Sequence, residues 1–260
     1  MGQQLTYSQL LCVPPYFCLR KELKMPVQNR YSQFLPDQRQ FFDELITEDW
    51  DTYQSEAWDY TRTFEVRQLF KRVQSVHILD VGCGCGFHDT VMAEYPFVER
   101  EDGIDYSEQS ILRANAEYPH PKVHRRVADF TAFHPQRIYD LVVSFQVIEH
   151  LTNPDEYLAF CANVCKPQGV VAVWTPNRVR WVNRIRAIKR KPLELIDPMH
   201  FREYTAHEIF EMGKKFGLKP FGLFGHTFQM RCKLDFKKQT KLGKFFPHFA
   251  NTLGVMMIKN

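Results

Sequence analysis

The sequence has no apolar run of about 18 residues, the length a helix needs to cross a bilayer. Its apolar stretch at 10–19 is short, is broken by Pro14 and Pro15, and follows no basic residue, so it makes a poor secretory leader. Met1-Gly2 followed by Thr6 meets a myristoylation pattern in form, but that pattern is short and common by chance. Charge of one sign is also scarce. Lys and Arg number 34 against 30 Asp and Glu, and a net charge of +4 does not by itself imply nucleic-acid binding. No pair of Cys-x-x-Cys units and no Cys/His zinc spacing occurs, so we expect no metal site. Seven cysteines without such spacing predict free thiols in a reducing, cytoplasmic compartment. Repeats and low-complexity tracts are absent.

What is present is an ordinary globular composition, 44% hydrophobic and 25% charged over 260 residues. That length suits one α/β domain with extensions. Residues 1–48 carry Pro14, Pro15, Pro26 and Pro36 without periodicity, and we read them as an extension ahead of a domain over 49–260. Val66, Leu69, Phe70 and Val73 follow the i, i+3, i+4, i+7 spacing of a buried helix face. Short apolar runs at 76–80, 122–128, 140–145 and 169–174 then alternate with helical patterns. A further strand ends at Asp105, and two more are expected at 221–224 and 255–258. The Leu-Val-Val run at 141–143 is what a strand covered on both faces requires. Ser107, Pro154 and the pair Thr205/Glu208 mark helix starts. Alternation of this kind predicts an α/β fold: a doubly wound, Rossmann-like seven-stranded sheet, mostly parallel, with an antiparallel last strand.

Ligands bind such sheets at the carboxyl ends of the strands. Asp80, Asp105, Asp129 and Ser144 all fall there. Directly after the first strand comes Asp80-Val81-Gly82-Cys83-Gly84-Cys85-Gly86, with glycine at every second position. The dinucleotide fingerprint Gly-x-Gly-x-x-Gly would need glycine at 87, which is Phe87.

This loop resembles the first motif of class I S-adenosylmethionine (SAM) methyltransferases. With Gly103-Ile104-Asp105-Tyr106-Ser107, Val147-Ile148-Glu149-His150-Leu151, Thr175-Pro176-Asn177 and Phe201-Arg202-Glu203-Tyr204-Thr205, the likeness covers about residues 58–220. It is similar to the small-molecule branch, near the ubiquinone-biosynthesis O-methyltransferases. The resemblance implies SAM as cofactor, with Gly82, Gly84 and Gly86 shaping the loop beneath it and Asp80 reaching its methionine part through water. It implies that Asp105 accepts from both ribose hydroxyls, as a carboxylate can. Tyr106 would line the adenine side, Asp129 would accept from the adenine amino group and the Phe130 backbone would meet the ring. Ser144 to Gln146 would close the pocket near the methyl.

Transfer to a phenol or alcohol needs a base. His150 is the first candidate because the Glu-His-Leu stretch follows the fourth strand; Glu149 is the second, and His200 could reach in from a lid. His88, just after the loop, reads as helix surface. The lid, 178–203, opens with seven basic residues and no acid over 178–191, with Trp181, Ile185 and Ile188 at helical spacing. A basic amphipathic segment suits an anionic membrane surface and would make the protein peripherally membrane-associated. The favoured expectation is therefore methyl transfer to an oxygen of a small or lipid-like acceptor, a phenol or quinone precursor. An RNA methyltransferase is the alternative, although the Asn/Asp-Pro-Pro-aromatic motif of enzymes acting on exocyclic base amines is absent. A non-catalytic scaffold would have no need of the glycine loop.

Overall fold

The computed structural model describes residues 38–48, 56–197, 199–228 and 236–260. Two helices, α1 (Gln38–Glu48) and α2 (Glu56–Phe70), precede β1 (His77–Val81). Then follow α3 (Phe87–Ala93), β2 (Arg100–Asp105), α4 (Glu108–Glu117), β3 (Val123–Val127) and β4 (Tyr139–Phe145). After a single 3₁₀ turn (Ile148–His150) come α5 (Pro154–Val164), β5 (Cys165–Pro176), α6 (Trp181–Ile188) and α7 (Ala206–Lys214). The chain ends with β6 (Leu218–His226), α8 (Phe236–Gly243) and β7 (Thr252–Lys259).

The seven strands form one sheet in the order β3-β2-β1-β4-β5-β7-β6. The pairs β1/β2, β2/β3, β1/β4 and β4/β5 are parallel. β7 runs antiparallel to both β5 and β6. Strand order reverses between β1 and β4, so the carboxyl ends of those two strands flank the crevice where such sheets take ligands.

Side chains alternate across the strands, and the two faces build two cores. Ile78, Leu141, Val143 and Trp174 point to the face covered by α2 and α3, against Leu69 and Met92. Leu79, Val142 and Val173 point to the other face, against Tyr157 and Leu158 of α5 and Ile209 of α7. Each such fully buried side chain contributes about 1.5–3 kcal/mol. The expected helix face of Val66, Leu69, Phe70 and Val73 is buried as the spacing requires.

Three local signals act as read. Ser107 caps α4 by accepting from the Ser110 N–H at 3.1 Å. Asn153 accepts from the Glu156 N–H at the start of α5, with Pro154 in the first turn. Thr205 and Glu208 form a reciprocal capping box on α7. β5, β6 and β7 are each longer than the apolar runs that announced them. Antiparallel pairing carries the ladder past the apolar runs, from Val170/Ile258 to Pro176/Thr252 between β5 and β7.

Candidate functional site

A cavity of about 730 Å³ opens over the carboxyl ends of β1, β2 and β4. Its floor is the loop 82–86. Gly82, Gly84 and Gly86 have φ of 77°, 52° and 81°. At Gly82 a Cβ would also stand 2.5 Å from Val147 Cγ2. At Gly84 a Cβ would meet nothing within 4 Å, so the backbone there faces open space. Positive φ is costly for any residue with a side chain. Asp105 ties the loop down, accepting from the Gly84 N–H at 2.9 Å and the Ser107 N–H at 2.8 Å. Burial pushes its carboxyl up to about 6, against those two donors.

Tyr106, Asp129, Phe130 and Gln146 line the same cavity. Asp129 accepts from the Thr131 N–H and hydroxyl at 2.9 and 2.8 Å. Gln146 has φ 60° and donates its N–H to the Trp174 carbonyl at 2.9 Å. Asp80, Ser144 and Glu149 do not line the cavity. Ser144 is turned into the core by strand alternation, where it accepts from the Tyr157 hydroxyl. Asp80 is 1% exposed, and neither carboxyl oxygen has a hydrogen-bond partner among the described residues. Burial and then the charges of Asp89 and Asp105 raise its pKa well above the carboxylate range.

Helix α1 closes the cavity from above. The Ser107 hydroxyl donates to Asp43, Gln38 Nε2 donates to the Met199 carbonyl at 3.0 Å, and Phe42 packs edge-on to His150. Part of the expected extension therefore lies against the site, and Trp58 of α2 also lines it. Trp50 and Tyr53, between α1 and α2 in the sequence, lie outside the described residues.

The three candidate bases come together as one group. Glu149, His150 and His200 each place one ligand atom within 4.8 Å of the others. The sequence shows no metal spacing, and the fold nonetheless builds this juxtaposition from the 3₁₀ turn and the lid. Glu149 Oε2 accepts from the Thr175 hydroxyl at 3.0 Å, and burial pushes its carboxyl up to about 7. The rings of His150 and His200 meet edge-to-face at 4.9 Å. Burial, and then the charge of His200, press His150 down to about 3. Burial would lower His200 as well, but its hydrogen bond to Glu203 and the charges of Glu149 and Asp197 outweigh it and raise the pKa.

A second group escaped the sequence reading. His88 is no surface residue: it lines the cavity with Glu65 and His226. Its Nε2 lies 2.8 Å from Glu65 Oε2, and His226 Nε2 lies 2.7 Å from Glu65 Oε1. The His88 ring stacks on Phe145, the last residue of β4, at 3.7 Å and 6°. Arg62, one turn before Glu65 on α2, lines the cavity and sits 5.3 Å over the Phe87 ring. No local signal marks these residues, because α2, α3 and β6 bring them from three separate stretches.

The lid differs from its reading. Its helix, α6, has only 8 residues. Ile188 is 83% exposed, so the expected apolar stripe packs only through Trp181 and Ile185. Acids from outside 178–191 pair three of the basic residues: Arg178 with Glu208 at 2.8 Å, Arg180 with Glu203 at 2.5 Å and Arg186 with Glu194 at 3.0 Å. Lys189, Arg190 and Lys191 are exposed beside Leu193 and Leu195. Among the described residues, no helix is long and apolar enough to cross a membrane.

Comparison with known proteins places this architecture. A family defined as a methyltransferase domain matches residues 40–221, and the chain belongs to it. A Mycolicibacterium smegmatis protein described as a probable S-adenosylmethionine-dependent methyltransferase is 33% identical over 147 residues, 56% of this chain and 53% of that protein. A Bradyrhizobium ubiquinone biosynthesis O-methyltransferase is 32% identical over 130 residues, 46% of this chain and 49% of its own. The chain thus spans about half the length of these curated relatives. The N-methyltransferase NodS from Bradyrhizobium japonicum, solved with S-adenosyl-L-homocysteine, superposes with a TM-score of 0.58 at 14% identity over 85% of this chain and 97% of its own. The cofactor is S-adenosyl-L-methionine. The site fits it: a glycine backbone opens to a cavity that is also lined by a strand-end carboxylate.

Proposed function

We propose that this protein transfers a methyl group from SAM to an oxygen of a small or lipid-like acceptor such as a phenol or quinone precursor. The observation that carries the reading is the single cavity that joins the glycine loop and Asp105 to an imidazole-lined end beyond Gln146. When bound, the cofactor supplies an electrophilic methyl on a sulfonium. The chain's residues bind and align, since in-line transfer gains most from proximity. Asp105 accepts from the ribose hydroxyls, Tyr106, Asp129 and Phe130 hold the base, and Arg62 pairs the carboxylate of the amino-acid end. Gly82, Gly84 and Gly86 let the backbone approach, while Asp80 supports the loop from below. Ser144, through Tyr157, and Gln146 shape the exit of β4. Beyond it, His150 and His200 form a polar wall against the acceptor, with the buried Glu149 behind them.

The exposed lid residues extend the reading to a partner. Ile188, Leu193 and Leu195 stand beside Lys189, Arg190 and Lys191, and Arg184 bridges to Phe249, next to exposed Phe245 and Phe246. We read this as a contact for an anionic membrane surface, where each basic residue contributes about 1 kcal/mol. Flotation with anionic and neutral liposomes tests it; equal recovery from both removes the membrane from the reading. The cofactor site is tested by calorimetry. Asp105→Ala should weaken S-adenosylhomocysteine at least tenfold, since hydrogen bonds to charged groups carry about 1.5–3 kcal/mol. Unchanged affinity would move the nucleoside elsewhere.

A further inference from the structure

The geometry points to His88 as the proton acceptor of the transfer, with Glu65 as its positioning carboxylate and His226 as the clamp on Glu65; the inference rests on the oxygen-acceptor reading above. An ionised carboxylate only accepts hydrogen bonds. Both imidazoles meet Glu65 through Nε2, at 2.8 and 2.7 Å, so both must carry hydrogen on Nε2, and a neutral His88 then keeps its lone pair on Nδ1. His226 Nδ1 already faces the Thr227 hydroxyl at 3.0 Å. Among the described residues no hydrogen bond engages His88 Nδ1. Stacking on Phe145 fixes the ring plane over the carboxyl end of β4, directly before Gln146. A lone pair is therefore held in one orientation at the wall of the cavity.

The electrostatics separate this imidazole from the one chosen by sequence. A proton arriving at His150 would meet the charge of His200, whose ring centroid is 4.9 Å away. One arriving at His88 would pair with Glu65. Burial would raise the Glu65 carboxyl, but His226 and then His88 bring it down to about 2, so the carboxylate is present throughout the neutral range. Burial leaves His88 below its ordinary pKa, hence neutral and able to accept. The other groups facing it are Arg62 of α2, which opposes protonation, and Asp89 of α3, which favours it.

The step balances. The O–H bond of the acceptor breaks, with its proton passing to His88 Nδ1. Its oxygen forms a bond to the methyl carbon as the carbon–sulfur bond breaks, and sulfur keeps that electron pair. One positive charge moves from the sulfonium to the imidazolium, where Glu65 receives it.

The test uses the full-length chain saturated with S-adenosylhomocysteine and 4-nitrophenol as the probe, its ionisation read by visible absorbance. Wild type should lower the bound phenol's apparent pKa by about one unit, a tenfold change in ionisation. His88→Gln should abolish the shift, Glu65→Gln should reduce it, and Glu65→Asp should restore part of it. A shift that survives His88→Gln overturns the assignment. Homocysteine-cofactor binding within threefold of wild type shows that each variant is folded. Imidazole NMR of the same complex provides a readout independent of the probe: hydrogen on His88 Nδ1 instead of Nε2 also overturns it. Failure of wild type to bind the cofactor product sinks the function itself; binding that product with no effect on the phenol sinks only this assignment.

Discussion

Two groups, each of one glutamate and two histidines, stand at one cavity and carry opposite charge patterns. Glu65 sits between His88 and His226 with both oxygens satisfied, and its carboxyl lies at about 2. Glu149 has one oxygen on Thr175 and the other without a partner among the described residues, and burial puts its carboxyl at about 7. The second pair of imidazoles meets ring to ring, so charge gathers on His200 and is expelled from His150. Composition is equal in the two; the number of donors aimed at the carboxylate decides which state each group holds.

The largest test of that contrast is deletion of each acid. Glu65→Leu strands two buried imidazole donors, and we expect a loss of about 3 kcal/mol or more, against about 1 kcal/mol for Glu149→Leu. Urea unfolding measures both, and equal losses would erase the distinction.

Acidity sharpens it next. Glu65 falls from its model-peptide range to about 2 on folding, so its contribution is present above pH 4.5 and lost as pH falls through about 2. Glu149 rises to about 7 on folding, so its contribution is present below pH 4.5 and lost as pH rises through about 7. Stability should therefore drop between about pH 4.5 and 7 in wild type and drop less in Glu149→Gln; an identical slope in both would contradict the assignment.

Asp105 is a third acid, at the other end of the cavity, and should report on ligand as well as on the loop it ties down. Burial raises its carboxyl to about 6, and the proposed ribose contact needs it ionised. Affinity for S-adenosylhomocysteine should hold above neutrality and fall roughly tenfold between pH 7 and 5, one unit below that value. Calorimetry across that range decides it.

The smallest effects come from the loop beneath both ends. Gly84→Ala places a methyl in open space and costs only left-handed strain, about 1–2 kcal/mol. Gly82→Ala adds a collision with Val147 and should cost more in thermal unfolding. The reverse order would mean that Gly84, not Gly82, is the packed position.

The glycine-loop end of the cavity was legible because its residues are neighbours in the chain. Asp80 to Gly86 is one strand and one turn, and Asp105 is the end of the next strand. The imidazole end was not. Glu65, His88 and His226 are far apart in sequence, and His88 looks like a helix start facing water until α2 and the end of β6 are packed over it. The lid misled in the opposite direction: Trp181, Ile185 and Ile188 have the right spacing, but α6 stops at Ile188, and that side chain stays outside.

Sequence alone determined the alternation of strands and helices, the glycine loop and the acid at each early strand end, because hydrophobic period, φ > 0 and helix capping are local requirements. Only the tertiary structure decided which ionisable groups share a cavity and what charge each carries. A pKa depends on burial and on hydrogen-bond partners, and both are set by elements that meet across the fold.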